Sequence, residues 1–322
     1  MTRVLVTGAG GPAGVAVIRS LLRRGDVDVV AADMDRWASG LYLVQAGNRR
    51  LVPAGRADDF VDVVRALCRD EGVDVLFPTV DVELPRLAAV RDELAAAGTL
   101  LASPSLATIE TCLDKLALAA ACRGTVRVPR TELLGTPQAL GGWQFPVIVK
   151  PRRGAGSRGV RTVRSATELD AVHAEEDLLV QELLPGDEYS VDVLAAPDGH
   201  VVAAVPRARM RVDSGVAVAG VTLHDDELVE TASAVARAVG LTSVANVQLK
   251  RDADGAPALL EVNPRFPGAM PLTIASGVDM PSLVLDAVLG RPVPDRVAHR
   301  AIANVRYLED VFLPVEDVLG RR

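Results

Sequence analysis

The sequence predicts a protein that is α/β in its N-terminal part and α+β in the rest. Over residues 1–105, short apolar segments alternate with amphipathic ones, a pattern typical of a parallel, doubly wound sheet. After residue 124 the predicted strands are short at first, then longer and more regularly alternating, with few helices between them. The chain has 322 residues, 49% of them hydrophobic, which is enough for about two domains with large cores.

The first predicted domain covers residues 1–105. Each predicted strand is a short apolar run, and each predicted helix carries an apolar stripe at helical spacing. We expect strands at 3–7, 27–33, 73–79 and 99–102, and helices at 13–24, 57–71 and 82–97. The Ser- and Pro-containing turn at 103–105 marks the end of the domain.

The second predicted domain covers residues 106–290 and opens with a helix at 106–122. Its first part is a small module at 124–182, and its second part is a larger lobe at 183–290. The elements expected in the small module are strands at 146–150 and 178–182 and a helix near 166–175. The elements expected in the larger lobe are strands at 188–196, 200–211, 244–251 and 257–263, and helices at 225–239, 271–276 and 280–289. A tail at 291–322 has weak signals and one expected strand at 301–308.

Composition excludes several classes of protein. The net charge is −7 and aromatic residues make up 3%, which argues against binding to nucleic acid. No apolar stretch approaches the ~20 residues of a membrane span. The three cysteines form neither a disulfide framework nor a ligand cluster. We therefore expect a soluble, cytoplasmic protein that acts on small molecules, with no nucleic-acid or membrane partner.

A glycine-rich turn follows the first predicted strand and opens a helix. Gly8 and Gly10 fit the turn that binds the pyrophosphate of a dinucleotide, and Asp33 ends the next strand. The third glycine of that motif is expected at Ala13 and lies instead at Gly14. The same glycines also suit a tight turn that needs close backbone packing. Cofactor binding and packing both remain open at this turn.

A cationic, glycine-rich segment lies at residues 150–164, KPRRGAGSRGVRTVR. It holds six cations and no acid, within an acidic protein. Its three glycines leave backbone N–H groups free to surround an anion, and a strand delivers Lys150 to its start. The chain has only three lysines, Lys115, Lys150 and Lys250, against 32 arginines. The segment therefore predicts a polyphosphate cradle, and the alternative is a solvated basic hairpin.

Oxygen-bearing side chains are predicted on two neighbouring strands near the end of the larger lobe. Glu261 and Asn263 lie two residues apart, so both point to one face of their strand. Antiparallel pairing places Gln248 beside Glu261. This donor set suits Mg²⁺ that bridges nucleotide phosphates, and Arg265 follows in the next loop. The alternative is an ordinary strand end followed by an Asn-Pro turn.

The segment QELLPG at 181–186 leaves a strand through a hinge and exposes backbone groups that can pair with an adenine edge. The alternating Glu188, Ser190 and Asp192 that follow offer a carboxylate for ribose hydroxyls, or form a polar face in water. Three arginines also alternate on one face, suited either to a substrate carboxylate or to a surface: Arg207, Arg209 and Arg211.

These motifs together resemble the ATP-grasp superfamily, in particular the branch that contains the carbamoyl-phosphate synthase large subunit and many amino-acid ligases. The resemblance runs from about residue 1 to 290. Its motifs are LDK at 113–115, PVIVKP at 146–151 with the loop to Gly159, QELLPGDEYSVD at 181–192, Gln248, and EVNPR at 261–265. Five motifs in this order form a specific pattern, and two of the three lysines fall where the family holds phosphates.

The resemblance implies a Rossmann-like (pre-ATP-grasp) domain followed by a two-lobed ATP-grasp fold, and it implies a role for each matching residue. The α- and β-phosphates would contact Lys115 and Lys150. A closing loop over the phosphates would comprise Arg153, Gly154, Ala155, Gly156 and Ser157. Adenine would lie against Gln181, Glu182, Leu183 and Leu184, and ribose against Glu188. The metal, Mg²⁺ or Mn²⁺, would be bound by Gln248, Glu261 and Asn263. Arg265 would stabilise the transferring phosphoryl group and the acyl phosphate, as a catalytic residue together with Lys150. Apart from the resemblance, the substrate is expected to contact Arg207, Arg209, Arg265 and Gly268.

The implied reaction joins a carboxylate to an amine. ATP phosphorylates the carboxylate, the amine attacks the acyl phosphate, and ADP and phosphate leave. One departure from the family is Gln248, where many members carry a carboxylate, so one metal would be held more weakly. Two alternatives stay open: an NAD(P)-dependent oxidoreductase that uses the N-terminal glycine-rich turn, and a non-catalytic ATP-binding regulator. Homodimers are common in the family, and the sequence leaves both substrates unidentified.

Overall fold

The structure is a computed structural model that describes residues 1–136, 139, 141–154, 156, 158–172, 177–213 and 216–319. It contains three sheets: the small four-stranded sheet has its own apolar core, while the other two sheets have separate cores on one side and share a further apolar core between them. Among the described residues, no helix has the length and apolar character needed to cross a membrane.

The N-terminal domain is built on a five-stranded parallel sheet, which confirms the predicted doubly wound fold. The strand order is β3-β2-β1-β4-β5. The strands are β1 (Thr2–Thr7), β2 (Val27–Asp33), β3 (Arg49–Leu51), β4 (Val75–Phe77) and β5 (Leu100–Leu101). The order reverses between β1 and β4, so a crevice opens at their carboxyl ends.

The helices of this domain are α1 (Pro12–Leu21), α2 (Phe60–Glu71), α3 (Leu84–Ala89) and α4 (Arg91–Ala96). The single helix predicted at 82–97 is therefore divided, because Val90 leaves helical geometry at φ −108°. Two 3₁₀ turns, Ser39–Leu43 and Ala46–Asn48, lead into β3. β3 was not predicted from the sequence, because two of its three residues are arginines.

The glycine-rich turn after β1 is accounted for by packing. A Cβ atom on Gly14 would lie 2.2 Å from the carbonyl oxygen of Gly8, and one on Gly10 would lie 2.7 Å from Ala38 Cβ. Asp33, the carboxylate that a dinucleotide site would use, accepts a hydrogen bond of 2.8 Å from the backbone N–H of Gly10. The structure thus favours the packing interpretation of these glycines.

Two helices connect the N-terminal domain to the rest of the chain: α5 (Leu106–Leu113) and α6 (Lys115–Cys122). The prediction of one helix at 106–122 is wrong, because Asp114 is extended and caps α6. Its side chain accepts hydrogen bonds from the backbone N–H groups of Leu116 and Ala117, at 3.1 and 3.2 Å. Lys115 consequently becomes the first residue of a new helix.

The small module forms a four-stranded antiparallel sheet, here called the lid sheet, in the order β6-β9-β7-β8. Its elements are β6 (Thr131–Leu133), β7 (Val147–Pro151), β8 (Arg161–Val163), α7 (Ala166–Val172) and β9 (Leu178–Glu182). Alternate residues of β7 are fully buried, with Val147 and Val149 in the core. This alternation places Ile148 and Lys150 on the opposite face.

The larger lobe is a six-stranded antiparallel sheet in the order β14-β13-β10-β11-β12-β15. Its strands are β10 (Glu188–Ala195), β11 (Val201–Asp213), β12 (Val216–Thr222), β13 (Val244–Arg251), β14 (Pro257–Asn263) and β15 (Ala303–Val305). Its helices are α8 (Asp226–Ala238), α9 (Met270–Ala275), α10 (Met280–Val288) and α11 (Val315–Leu319). β12 was not predicted from the sequence, because its alanines and glycine have low strand propensity. β15, from the segment predicted as a tail, pairs with β12.

The N-terminal domain packs directly on the larger lobe. Arg24, just after α1, donates two hydrogen bonds of 2.9 Å to the carboxylate of Asp286 in α10. Ser20 of α1 donates to Asp279, the residue that caps α10. These contacts fasten the end of α1 to α10 of the larger lobe.

Candidate functional site

A cleft of about 1020 Å³ lies where the N-terminal domain, the lid sheet and the larger lobe meet. Most of the predicted site residues line it: Lys115, Lys150, Gly154, Gly156, Gln181, Glu182, Leu183, Leu184, Glu188, Arg207, Arg209, Gln248, Glu261, Asn263, Arg265 and Gly268. Ala155 and Ser157 lie outside the described residues. Arg153 is not among the residues that line the cleft.

Lys150 is carried to the floor of the cleft by β7 and is only 7% exposed. Its Nζ donates a hydrogen bond of 2.8 Å to Gln181 Oε1 on β9, and Gln181 Nε2 donates in turn to Thr131 Oγ1, also at 2.8 Å. The pKa of Lys150 is lowered to about 8, mainly by burial; the carboxylate of Glu261 opposes this effect and the charge of Lys115 adds to it. A buried ammonium of this kind is well suited to an anionic ligand.

Lys115 lies opposite Lys150, at the start of α6. Its Nζ donates a hydrogen bond of 2.8 Å to the carbonyl oxygen of Gly154. Gly154 belongs to the cationic, glycine-rich segment at 150–164, called the cationic loop from here on. The same Nζ lies 3.9 Å from Glu261 Oε2. The two lysines and Glu261 therefore occupy one cleft, between the cationic loop and the larger lobe.

Asp114 holds this arrangement together, and the sequence analysis did not assign it a role of its own. Besides capping α6, its buried carboxylate accepts hydrogen bonds from Arg152 Nε at 2.8–2.9 Å and from Arg153 Nη2 at 2.8 Å. Burial alone would raise the pKa of Asp114, but the hydrogen bond from Arg152 and the neighbouring charges lower it. The prediction that Arg153 contacts nucleotide is not supported by this geometry, because Asp114 engages its guanidinium.

The predicted pairing of the oxygen donors is confirmed. Gln248 faces Glu261 across β13 and β14, and Asn246 faces Asn263. Asn263 Nδ2 lies 3.4 Å from Glu261 Oε1, so the two side chains share a face. Within the described part of the chain, no three His, Cys, Asp or Glu side chains converge on one point. One carboxylate and two amide oxygens fit Mg²⁺ only when phosphate oxygens complete the shell.

Arg265 follows β14 and reaches across to the N-terminal domain. Its Nε and Nη2 donate to both carboxylate oxygens of Asp81, at 2.7 and 2.9 Å. Asp81 comes shortly after β4, at the carboxyl end of a parallel strand, which is the signal that could have identified it. The bidentate pair fixes the guanidinium of Arg265 beside the oxygen donors.

Arg207 lies deeper than the sequence analysis expected, at 2% exposure. It forms a bidentate pair with the fully buried Asp192, at 2.6 and 3.0 Å. Asn246 Nδ2 and Thr273 Oγ1 also donate to Asp192, at 2.7 and 2.5 Å. The interpretation of Asp192 as a ribose ligand or a solvated residue is therefore wrong, since its carboxylate is fully engaged in orienting Arg207.

The two other predicted arginines, Arg209 and Arg211, lie in different environments. Arg209 forms an ion pair with Glu188, which joins the predicted substrate residue to the predicted ribose residue. A bulge in β11 between Arg209 and Arg211 breaks the alternation, so Arg211 is exposed and the predicted common face is wrong.

Glu182 accepts hydrogen bonds from Arg127 Nη2 at 2.5 Å and from the backbone N–H of Arg130 at 3.0 Å, which fixes the hinge after β9.

Gly268 is held through its carbonyl oxygen, which accepts a hydrogen bond from Arg306. Arg306 follows β15, so the segment predicted as a tail supports the wall of the cleft. Burial lowers the pKa of Arg306, and the nearby charge of Arg207 adds to this effect.

Comparison with known proteins supplies two family matches. Residues 4–102 match the model of the PylC-like N-terminal domain. Residues 174–311 match the model described as ATP-grasp in the biosynthetic pathway with Ter operon.

Curated relatives and solved structures agree with these matches. The vancomycin B-type resistance protein VanB of Enterococcus faecalis is 24% identical over 66% of this chain and 71% of its own length. The D-alanine–D-alanine ligase of Mycobacterium avium is 33% identical over a segment that covers 45% of this chain and 47% of that protein. The L-amino acid ligase of Bacillus licheniformis superposes with a TM-score of 0.70 at 19% identity, covering 89% of this chain and 74% of that one. N5-carboxyaminoimidazole synthetase of Staphylococcus aureus, complexed with ADP, superposes with a TM-score of 0.73 at 14% identity, covering 92% of this chain and 80% of that one. The chain thus joins a PylC-like N-terminal domain to an ATP-grasp domain, in agreement with the family resemblance of its motifs.

Proposed function

We propose that this chain is an ATP-dependent carboxylate–amine ligase that forms an amide or peptide bond. The γ-phosphoryl group of ATP would pass to a substrate carboxylate, and an amine would then displace phosphate from the acyl phosphate. The observation that carries the proposal is the meeting of Lys115, Lys150 and Glu261 in one cleft. The names of the ligases among the relatives support the same reaction class.

The positive groups would bind the triphosphate. Lys150 would keep its charge once a phosphate lies against it, because a nearby anion favours the ammonium form. Lys115 would exchange its contact with Gly154 for a phosphate oxygen, which would free the cationic loop to settle over the nucleotide. Closure of this loop would keep water away from the acyl phosphate.

The oxygen donors would hold the divalent cation, which neutralises charge on the phosphates when it is bound. Glu261 would supply the carboxylate, with the side-chain oxygens of Gln248 and Asn263 beside it. Arg265, oriented by Asp81, would stabilise the negative charge that develops on the transferring phosphoryl group. Mg²⁺ is the first choice for this oxygen set, and Mn²⁺ is a second cation to test.

The base and sugar would lie at the hinge. The backbone of residues 182–184 follows β9 and lines the cleft, where it would meet the adenine edge. Glu188 would accept ribose hydroxyls, in competition with its ion pair to Arg209. We also propose that the enzyme acts in the cytoplasm and forms a homodimer.

The test is a screen of common L-amino acids and D-alanine, alone and in pairs, with ATP and MgCl₂. The proposal expects release of ADP and phosphate that requires both an acid and an amine. Lys150→Ala should lower this rate by about 10²-fold or more, as expected for the loss of one preorganised charge. The exposed Glu230 on α8 provides a control, and Glu230→Gln should match the wild type. ATP binding without turnover of any pair would favour a non-catalytic regulator instead.

A further inference from the structure

Glu83 is a buried carboxylate in the half of the cleft formed by the N-terminal domain, and the proposed function gives it no role. Glu83 lies between β4 and α3 and lines the cleft, yet it is only 5% exposed. Thr7 Oγ1 donates a hydrogen bond of 2.6 Å to Glu83 Oε2. Among the described residues, none donates to Oε1 and no cation forms an ion pair with this carboxylate. A buried carboxylate with one unpartnered oxygen beside a cleft is arranged to accept a proton or an ammonium group from a ligand.

The charges around Glu83 are well defined. Asp33 lies close enough on the same wall to raise its pKa, and Arg56 is exposed on the loop that follows β3. On α3, the guanidinium of Arg86 binds the carbonyl oxygens of Gly55 and Ala57, at 2.7 and 2.6 Å. The wall at Glu83 thus carries two carboxylates, Asp33 and Glu83, beside the exposed guanidinium of Arg56, and the same cleft holds the lysines of the phosphate site.

Glu83 is close in sequence to the residue that orients Arg265. It lies two residues after Asp81, and that carboxylate is bound to Arg265 at the end of β14. The backbone N–H of Glu83 donates to the carbonyl oxygen of Val80 at 3.0 Å, which closes a tight turn over these residues. One turn of the chain thus connects Glu83 to the guanidinium that we place at the transferring phosphoryl group.

We infer that Glu83 binds the ammonium group of the amine substrate and accepts its proton as the amine attacks the acyl phosphate. This inference rests on the proposed ligase function. One N–H proton moves to the Glu83 carboxylate, and the nitrogen lone pair forms the C–N bond to the acyl carbon. The C–O bond to phosphate then breaks, and the second proton leaves on the released hydrogen phosphate.

The pKa of Glu83 suits this role. The pKa of Glu83 is raised to about 7, mainly by burial; the hydrogen bond from Thr7 opposes this effect and the charge of Asp33 adds to it. A base with a pKa near the working pH can both accept and release a proton in each cycle. Amide formation should therefore slow as the pH falls below about 7, because the protonated carboxyl no longer accepts a proton.

The experiment separates the two half-reactions. Hydroxylamine is neutral at pH 7 and traps the acyl phosphate as a hydroxamate without needing a base. Glu83→Gln should leave hydroxamate formation within about 3-fold of wild type. It should lower amide formation with the best amino acid of the screen by about 10²-fold, a typical contribution of a general base. The inflection of the pH profile near pH 7 should also be lost in this variant, whose amide formation should simply follow the fraction of substrate present as free amine.

The matched control is Glu110→Gln on the exposed side of α5, which should leave both half-reactions unchanged. Equal losses of hydroxamate and amide, or no loss of either, would overturn the role of Glu83. If Glu83→Gln lowers the melting temperature, Glu83→Asp replaces it. This variant should form amide more slowly than the wild type but keep the fall in rate as the pH drops below about 7. A wild-type protein that forms neither ADP nor hydroxamate with any acid would instead refute the ligase function itself.

Discussion

Replacing Lys150 with methionine should stabilise the protein in the absence of nucleotide while removing its response to ATP. The folded protein buries the Lys150 ammonium, and its pKa is about 8 instead of the ordinary 10.5. At about 1.4 kcal/mol for each tenfold change in a proton-binding constant, the charge costs about 3 kcal/mol of folding stability at pH 7. Methionine removes this cost but leaves Gln181 Oε1 without its donor, a loss of about 1–3 kcal/mol. The expected net effect is a gain of about 1 kcal/mol.

The sign of the pH dependence provides a second, stricter readout. The pKa of Lys150 is lower in the folded state, so the unfolded chain binds more protons between pH 8 and about 10.5. The stability contributed by this group therefore rises with pH in that window, and the advantage of Lys150→Met should shrink from pH 7 to pH 10. Urea denaturation at both values measures the difference. A variant less stable than wild type at pH 7, or an advantage independent of pH, would refute the reasoning.

Binding of ATP should make the wild type more stable than Lys150→Met, which reverses their order in the absence of nucleotide. Saturating ATP with Mg²⁺ should stabilise the wild type by about 2.7 kcal/mol at a concentration 100 times the Kd, and should leave Lys150→Met almost unchanged. Lys150→Arg is the matched control, because a guanidinium stays charged when buried and should give no gain at pH 7.

Three further substitutions test the wall opposite Lys150. Glu261→Gln should lower ADP formation by about 10²-fold through loss of the metal carboxylate, with Glu230→Gln unchanged, and equal rates would contradict the metal assignment. Asp81→Asn should lower kcat more than it raises KM for ATP, because Arg265 loses its bidentate partner while the phosphate contacts remain; steady-state kinetics distinguishes the two constants. Asp114→Asn should cost about 1 kcal/mol of stability and raise KM for ATP, since it removes the charge that pairs with the partly exposed Arg152 and the exposed Arg153, and urea midpoints unchanged from wild type would exclude this role.

Sequence patterns predicted the strongly apolar strands because burial dictates their composition, but they did not predict β3 or β12. The strand β9 has the bounds expected from its apolar run, and the facing of Gln248 and Glu261 follows from a short hairpin turn between two alternating strands. The helix break at Asp114 was missed because LDK lies between two equally apolar helical stretches. The local preference of Asp for a cap decided the structure there, against a continuous apolar stripe.

The long-range partners of site residues could not be predicted from sequence. Arg207 looks like a surface arginine along the chain, and its burial depends on Asp192 one strand away and on Thr273 from a helix. The pair between Arg265 and Asp81 joins two domains across 184 positions of sequence. Such contacts depend on how the domains pack, which local periodicity does not record.

The most direct test is a crystal structure with a non-hydrolysable ATP analogue and Mg²⁺. The proposal predicts a triphosphate within hydrogen-bond distance of the Nζ atoms of Lys115 and Lys150, with the metal bound to Glu261. A nucleotide found at the glycine-rich turn after β1, with these three side chains still in contact only with protein, would contradict it.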